Sequence, residues 1–260
     1  TIIEEGGFSR WNPLVMFLAW VERFGYRHSD VIVGTMPNLA EHVGEVMGTR
    51  RDCHCIPLGY DPDLYGNLEP LPEGYVGRYI PKDKFIVGYA GSIGMSNALD
   101  TLMRCAEELQ GEYNIHFLIV GDGGLRDTYE SQTSGLKNIT FAPRVRKSQV
   151  QTVLRYCQVL YFGVENSKVW RYGQSLNKLV EYMMAGKPII ASYSGYPSMV
   201  DEAQCGVFVP AGDVRAACMA IREYAQLSDE EREAIGARGK EWVCEHRPYD
   251  RIAREYSKLF

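Results

Sequence analysis

The stretch over residues 171–190 reads Arg171-Tyr-Gly-Gln-Ser-Leu-Asn-Lys-Leu-Val-Glu-Tyr-Met-Met-Ala-Gly-Lys-Pro-Ile-Ile190 and contains the clearest structural pattern of the sequence. Its apolar residues recur at helical spacing and form one stripe: Leu176, Leu179, Val180, Met183 and Met184. Gly186 and Pro188 are typical of the residues that follow a helix C terminus. The stretch therefore predicts a polar loop, an amphipathic helix and a buried strand.

The beginning of this predicted helix is suited to an anionic ligand. Backbone N–H groups in the first turn of a helix have no internal partner and attract phosphate. Lys178 and Glu181 lie on the polar side of the first two turns, three residues apart, where side chains can meet. This pattern indicates a charged ligand that carries hydroxyl groups. In the alternative interpretation, Glu181 is a surface charge paired with Lys178 or Lys187.

The composition favours an ordered α/β protein of one large or two modest domains. The chain has 260 residues, is 45% hydrophobic and carries a net charge of -5, which argues against a broad nucleic-acid surface. Seven cysteines without C-x-x-C spacing fit the reducing cytosol, so we expect a cytoplasmic protein. Basic residues gather in two clusters: Arg144, Arg146, Lys147 and Arg155, and Lys168, Arg171, Lys178 and Lys187. Both clusters can be solvated surface, and the second can alternatively contact the phosphate of a ligand.

The first 30 residues contain a predicted apolar helix, and the sequence does not indicate what this helix packs against. The longest apolar run, residues 14–21, is too short to cross a bilayer. The chain begins at Thr1 in a passage typical of the middle of a domain, so we expect an N-terminal half outside this sequence. The helix over residues 13–28 is then interpreted either as packing against that half or as a peripheral membrane contact.

From residue 84 onwards, short apolar runs alternate with amphipathic helices. Strands are predicted at 85–90, 115–120, 139–142, 159–163, 188–192 and 206–209, after two earlier strands at 30–34 and 53–57 and a linker at 61–81. This alternation indicates βαβ units and a parallel sheet covered on both faces. Ligands bind such sheets beyond the carboxyl ends of the strands. Four loops rich in Gly and Arg are expected at that edge and indicate a nucleotide-type site, although neither glycine loop matches G-x-G-x-x-G: 91–94, 121–124, 143–146 and 171–175.

Several ordered motifs together resemble the retaining glycosyltransferases of family four, which have the GT-B fold of two Rossmann-like domains. These motifs are Phe85-Ile-Val-Gly-Tyr-Ala-Gly-Ser-Ile-Gly94, Asn97-Ala-Leu-Asp100, Phe117-Leu-Ile-Val-Gly-Asp-Gly123, Asn138-Ile-Thr-Phe-Ala-Pro143 and the 171–190 stretch. Residues 9–36 and 56–61 resemble the end of the family's first domain. The resemblance implies that residues 1–80 are the end of an N-terminal domain plus linker. Residues 81–246 would be a complete C-terminal nucleotide-sugar domain, and 247–260 a terminal helix packing back on the first domain.

The resemblance also implies roles for individual residues. Glu181 would bind the ribose hydroxyls, backbone N–H groups of residues 173–176 would bind the diphosphate, and the loop at Arg144 and Val145 would contact the base. Gly91 and Ser92 would lie near the phosphates. The complete expected donor-binding set is Gly91, Ser92, Gly94, Arg144, Val145, Tyr172, Gly173, Gln174, Ser175, Leu176, Asn177 and Glu181.

Two departures from the family pattern bear on the chemistry. Gly173 stands where the family usually has a glutamate that contacts the sugar, so that contact cannot be carried over. The loop after the strand at 85–90 lacks the Arg and Lys that the family often has there. We infer that Lys178 and Arg171 are the catalytic cations and stabilise the charge that grows on the leaving nucleoside diphosphate. In the family, retention is usually explained by front-face attack, in which the leaving phosphate accepts the proton of the acceptor.

The expected function is sugar transfer with retention from a UDP-sugar to a lipid-linked or saccharide acceptor. The R-Y-G-x-S-x-N-K-L variant resembles the branch that builds bacterial O-antigen and capsule, including transferases of the L-fucosamine type. The nucleotide-sugar donor is a substrate, so we expect no cofactor. We also expect no metal, because the donor region has no metal-binding D-x-D motif. Two alternatives remain open: a donor-binding fragment or subunit without turnover of its own, and a UDP-sugar epimerase of the same fold.

Overall fold

The computed structural model describes residues 7–66 and 68–260. The first part of the chain contains a pair of helices and a short parallel pair of strands: α1 Pro13–His28, β1 Ile32–Gly34, α2 Leu39–Met47 and β2 Cys53–Cys55. The helix predicted at 13–28 is confirmed, and β1 and β2 are shorter than predicted. The predicted linker contains the single-turn helices α3 Pro62–Gly66 and α4 Tyr75–Tyr79, which are too short to produce a visible apolar period.

Six strands form the second, larger sheet. They are β3 Phe85–Ser92, β4 Ile115–Asp122, β5 Ile139–Ala142, β6 Val159–Gly163, β7 Ile189–Ser192 and β8 Gly206–Val209. Their order across the sheet is β5-β4-β3-β6-β7-β8, and every neighbouring pair is parallel. This is the order of a Rossmann-like doubly wound sheet, and its switch point lies between β3 and β6. The predicted α/β class and parallel sheet are confirmed.

Helices cover both faces of this sheet. They are α5 Asp100–Glu108, α6 Arg126–Gln132, α7 Lys147–Leu154, α8 Asn177–Met184, α9 Met199–Glu202, α10 Val214–Gln226 and α11 Asp229–His246, and a further helix, α12 Tyr249–Ser257, follows them. Side chains of β3 alternate between two cores: Ile86 and Ala90 pack in one, and Phe85, Val87 and Tyr89 in the other. Burial on both faces explains why the strands are continuous apolar runs in the sequence.

The carboxyl ends of β3 and β4 approach each other unusually closely. Gly91 pairs with Gly121, whose φ of +154° is in a region that side chains rarely adopt. A Cβ on Gly121 would lie 1.9 Å from the carbonyl oxygen of Gly91. Glycine is therefore required at 121 for the packing of the two strand ends.

The C-terminal helix is tied to the segment that leaves the first part of the chain. Tyr60 N donates a hydrogen bond to Arg247 O (2.9 Å), and Tyr249 N donates to Tyr60 O (3.0 Å). A Cβ on Gly59 would lie 2.5 Å from Arg247 O, so the two segments are in direct contact. None of the helices among the described residues combines the length and apolar character needed to cross a membrane.

Candidate functional site

A cleft of about 1160 Å³ opens at the switch point of the sheet. It is bounded by the loop that follows β3, the loop that follows β6 and the first residues of α8, while Met36 of the first part of the chain closes one side. Its wall is largely apolar, with Leu125 and Trp170 among the lining residues. This is where a doubly wound sheet binds ligands.

Lys178 lies in this cleft and is held by uncharged oxygen atoms. Its Nζ donates hydrogen bonds to Tyr89 Oη (2.7 Å) and Asn97 Oδ1 (2.5 Å). Nζ also lies 4.3 Å from the centre of the Tyr89 ring. Gly91 leaves the room that the lysine needs, because a Cβ there would be 2.9 Å from Lys178 Cε. Three residues of β3 and its loop therefore position one ammonium group.

The charge of Lys178 has no counter-ion among the residues that the structure describes. Among the described residues, none of the ion pairs involves Lys178. Burial lowers the pKa of this amine to about 7 because desolvation disfavours the charged form. A partly buried cation in a cleft, without a counter-ion, is suited to an anionic ligand.

The loop before α8 is docked onto the first part of the chain. Asn38 N donates to Tyr172 O (3.0 Å), and Leu58 N donates to Ser175 Oγ (2.9 Å). Gly173 has a φ of +92°, and a Cβ there would lie 2.3 Å from Pro37 Cγ. Glycine at 173 therefore permits this close contact, which a glutamate at the same position would disrupt.

Gln174, in the same loop, has an unusual environment. Its side chain is buried, and neither its amide nitrogen nor its amide oxygen has a hydrogen-bond partner among the described residues. Buried polar groups are normally paired. Leu176 precedes the first residue of α8, and both Leu176 and Asn177 line the cleft together with Lys178.

Arg171 and Tyr172 are directed away from the cleft and towards α2. Arg171 forms an ion pair with Glu45. Tyr172 Oη donates to Glu45 Oε2 (2.7 Å), and the Tyr172 ring meets His42 edge to face. The structure thus brings Lys178, but not Arg171, to the cleft.

Glu181 lines a second, smaller groove between α7 and α8, with a volume of about 510 Å³. Its carboxylate forms an ion pair with Lys147 rather than with Lys178 or Lys187. Tyr65 of the linker also lines this groove. Lys178 and Glu181 are about one helical turn apart and were predicted on the same side of the helix. In the structure they line two different cavities.

The remaining predicted residues lie at the same edge of the sheet. Ser92 ends β3 and is exposed, and its carbonyl oxygen accepts a hydrogen bond from Tyr89 Oη (2.6 Å). Gly94 follows in the loop. Arg144 is exposed and Val145 is partly buried. Both lie in the segment between β5 and α7, directly before Arg146 and Lys147, which line the second groove.

Sequence reasoning missed four residues that the geometry brings to the two cavities. Tyr89 and Asn97 hold Lys178, and Lys147 contacts Glu181. Asp100 lines the main cleft, where its carboxylate accepts a hydrogen bond from Tyr129 Oη (2.9 Å). Tyr89, Asn97 and Asp100 lie in the quoted motifs and Lys147 lies in a basic cluster, but the contacts themselves join residues that are distant in sequence, so that spacing along the chain could not indicate them.

Comparison with solved structures gives the fold of the chain. It is similar to sucrose-phosphate synthase from Thermosynechococcus elongatus, with a TM-score of 0.73 and 19% identity, over 94% of this chain and 61% of the synthase. It is also similar to Anabaena HepE in complex with UDP-glucose, with a TM-score of 0.70 and 14% identity, over 100% of this chain and 70% of HepE. At these two sequence identities, similarity of structure shows a common fold but not a common function.

A third similar structure is WaaG, described as a glycosyltransferase involved in lipopolysaccharide biosynthesis. Its TM-score is 0.69 at 16% identity, over 95% of this chain and 67% of WaaG. The chain therefore spans about three fifths to seven tenths of the length of these three proteins. No curated protein sequence matches the chain.

The family is shown by a direct match of the sequence. The profile described as glycosyl transferases group 1 matches residues 84–226, which is more than half of the chain and includes all six strands of the large sheet. The fold agrees, because the similar structures are GT-B glycosyltransferases. The chain belongs to the glycosyl transferases group 1 family.

Proposed function

We propose that this chain binds a UDP-sugar in the cleft at the switch point and serves its transfer to an acceptor. The observation that carries the proposal is Lys178, a positioned ammonium group at the start of α8 for which the described part of the chain supplies no counter-ion. The complexes of HepE with UDP-glucose support a uridine nucleotide for a protein of this fold. The family membership supports group transfer as the reaction class.

The donor is proposed to occupy both cavities. The ribose hydroxyls would bind the carboxylate of Glu181, the base would lie towards Arg144 and Val145, and the diphosphate would cross the start of α8 at residues 173–176. The sugar would then enter the larger cleft beside Lys178, with Tyr172 and Gln174 supporting the loop. Ser92, the last residue of β3, and Gly94, in the loop after it, would approach the phosphates from the same edge of the sheet.

The proposed chemistry is departure of the nucleoside diphosphate, assisted by a fixed cation. As the anomeric C–O bond breaks, negative charge grows on the phosphate, and Lys178 is placed to stabilise that charge. With front-face attack the phosphate accepts the acceptor's proton, which gives retention without a separate base. Arg171 can contribute only after it leaves Glu45.

The wider role is proposed from the branch resemblance. WaaG acts in lipopolysaccharide biosynthesis, which supports a lipid-linked or saccharide acceptor in surface polysaccharide synthesis, such as O-antigen or capsule. A cytoplasmic protein, in peripheral contact with the membrane, would meet such acceptors. The exposed apolar side chains of α1, including Phe17, Trp20 and Phe24, and the exposed Trp11 just before this helix are proposed to contact the N-terminal half of a longer protein or the membrane surface.

A donor-binding unit without turnover of its own is the second candidate. The observation that favours it is that the chain spans only 61% of sucrose-phosphate synthase and 67% of WaaG. Residues from the rest of a GT-B cleft would then complete the site. The division into domains at residues 80 and 246 remains a prediction.

Calorimetric titration with UDP, ADP and GDP tests the proposal. We expect UDP to bind at one site and more tightly than ADP or GDP. Consumption of a UDP-sugar in the presence of an acceptor would identify the enzyme, and UDP binding without consumption would identify the donor-binding unit. Absence of binding by all three nucleotides would contradict both candidates.

We expect donor binding to be independent of divalent metal. Because Lys178 and the start of α8 supply the positive charge, the affinity for UDP is expected to be the same in EDTA as in Mg²⁺ or Mn²⁺. The same titration in the three buffers measures this. Binding or turnover that is lost in EDTA and restored by either metal would contradict it.

A further inference from the structure

The carboxylate of Glu181, which we propose binds the ribose, is paired with a lysine in the structure. Lys147 Nζ forms an ion pair with Glu181 Oε1 across the groove between α7 and α8. The groove has a volume of about 510 Å³, which is within the range of small-molecule sites. A ribose that binds Glu181 through both carboxylate oxygens would therefore meet this lysine in the same groove.

The two partners of the ion pair differ in mobility. The side chain of Glu181 is only 14% exposed, and its backbone carbonyl accepts a hydrogen bond from Nε2 of the buried Gln151 (2.8 Å). Lys147 is the first residue of α7, and its side chain is 64% exposed. Because lysine carries its charge on a flexible four-carbon chain, Lys147 is the partner that can leave.

The position of Glu181 determines where a released Lys147 can go. Vicinal ribose hydroxyls are hydrogen-bond donors, and they need both carboxylate oxygens, including the one that Lys147 occupies. Residues 178 and 181 are neighbours on α8, so phosphate bound at the start of α8 lies close to this carboxylate. The adjacent cation, Arg146, is held by Glu69 at 2.7 Å and is not in the same situation.

We propose, resting on the proposed function, that Lys147 is an exchangeable counter-ion of the donor site. It pairs with Glu181 when the site is empty, and it transfers to the phosphate attached to the ribose when a nucleotide binds. A nucleoside without phosphate displaces Lys147 without compensation, whereas a nucleotide replaces the lost ion pair with a new one. Lys147 thus selects nucleotides over nucleosides.

The test compares uridine with UDP in the Lys147→Met variant, which keeps the length of the side chain and removes its charge. Uridine is expected to bind severalfold more tightly than to the wild type, and UDP severalfold more weakly. The ratio of the two dissociation constants is then expected to fall by about tenfold or more, since each ligand gains or loses a charge-assisted contact. Lys147→Arg should retain the wild-type ratio. Lys137→Met is the matched control, because it removes an exposed lysine near the amino end of β5.

Opposite changes for the two ligands are what distinguishes exchange from a structural role. If Lys147→Met weakens uridine and UDP by the same factor, or leaves their ratio unchanged, Lys147 is not an exchangeable counter-ion. If the wild type binds UDP normally in that experiment, the proposed function stands although this inference fails. If the wild type binds neither ligand, the proposed function itself is wrong, and the inference falls with it.

Discussion

Replacing Lys178 with methionine is expected to lower turnover about a hundredfold or more. The leaving diphosphate gains charge in the transition state, and loss of one fixed donor to such a charge typically costs ~3 kcal/mol. In the structure, Lys178 is the cation that Tyr89 and Asn97 hold in the main cleft. The measurement is donor consumption with acceptor, or the affinity for UDP if the chain binds donor without turning it over.

The controls separate this effect from general loss of charge or of fold. Arg171→Ala removes a cation that is paired with Glu45 outside the cleft, and it should cost much less than Lys178→Met. The Lys178→Met protein should also be at least as stable as the wild type at neutral pH, because it removes a desolvated ammonium group. Near-normal activity, or UDP affinity, in a folded Lys178→Met protein would remove Lys178 from the mechanism.

The affinity for UDP is expected to fall steeply as the pH rises above 7. Burial lowers the pKa of Lys178 to about 7, so the amine is charged below that pH and loses its proton above it. The bound diphosphate favours the charged form, and binding must therefore take up a proton at alkaline pH. Between pH 7 and pH 9 the affinity should decrease by as much as about a hundredfold.

Stability should respond to pH in the opposite direction. In the unfolded chain Lys178 keeps its proton up to the ordinary pKa of 10.5, while in the folded protein it loses it near pH 7. The unfolded state therefore binds more protons between these values, and the free energy of unfolding rises with pH in that window. The burial penalty is largest below pH 7 and absent above pH 10.5. Titrations of UDP and of stability against pH, with wild type and Lys178→Met, measure both effects. Equal pH dependence in the two proteins would contradict the assignment.

Most of the fold could be predicted because it is encoded locally. Each strand of the large sheet is a short apolar run, and each helix after it has an apolar stripe, as at Leu179 and Val180. The strands at 139–142, 159–163 and 206–209 have their predicted bounds. The small helices at 62–66 and 75–79 were not predicted, since one helical turn cannot show a period.

The candidate site was predictable in its location but not in its pairings. The parallel topology alone places the loops after β3, β5 and β6 at one edge of the sheet, and at that edge Gly91 lies directly beside the side chain of Lys178. The partners depend on the tertiary structure instead. Lys147 and Glu181 are 34 residues apart in sequence, and the contact of Arg171 with Glu45 joins two separate parts of the chain. Spacing along one helix suggested that Lys178 and Glu181 would meet, but each has closer partners on neighbouring elements.

A crystal structure of the chain with UDP would show directly whether Lys178 and Glu181 bind the nucleotide. We expect a diphosphate oxygen within hydrogen-bonding distance of Lys178 Nζ, with the ribose hydroxyls on the carboxylate of Glu181. A nucleotide bound at another edge of the sheet, with Lys178 still held only by Tyr89 and Asn97, would contradict it.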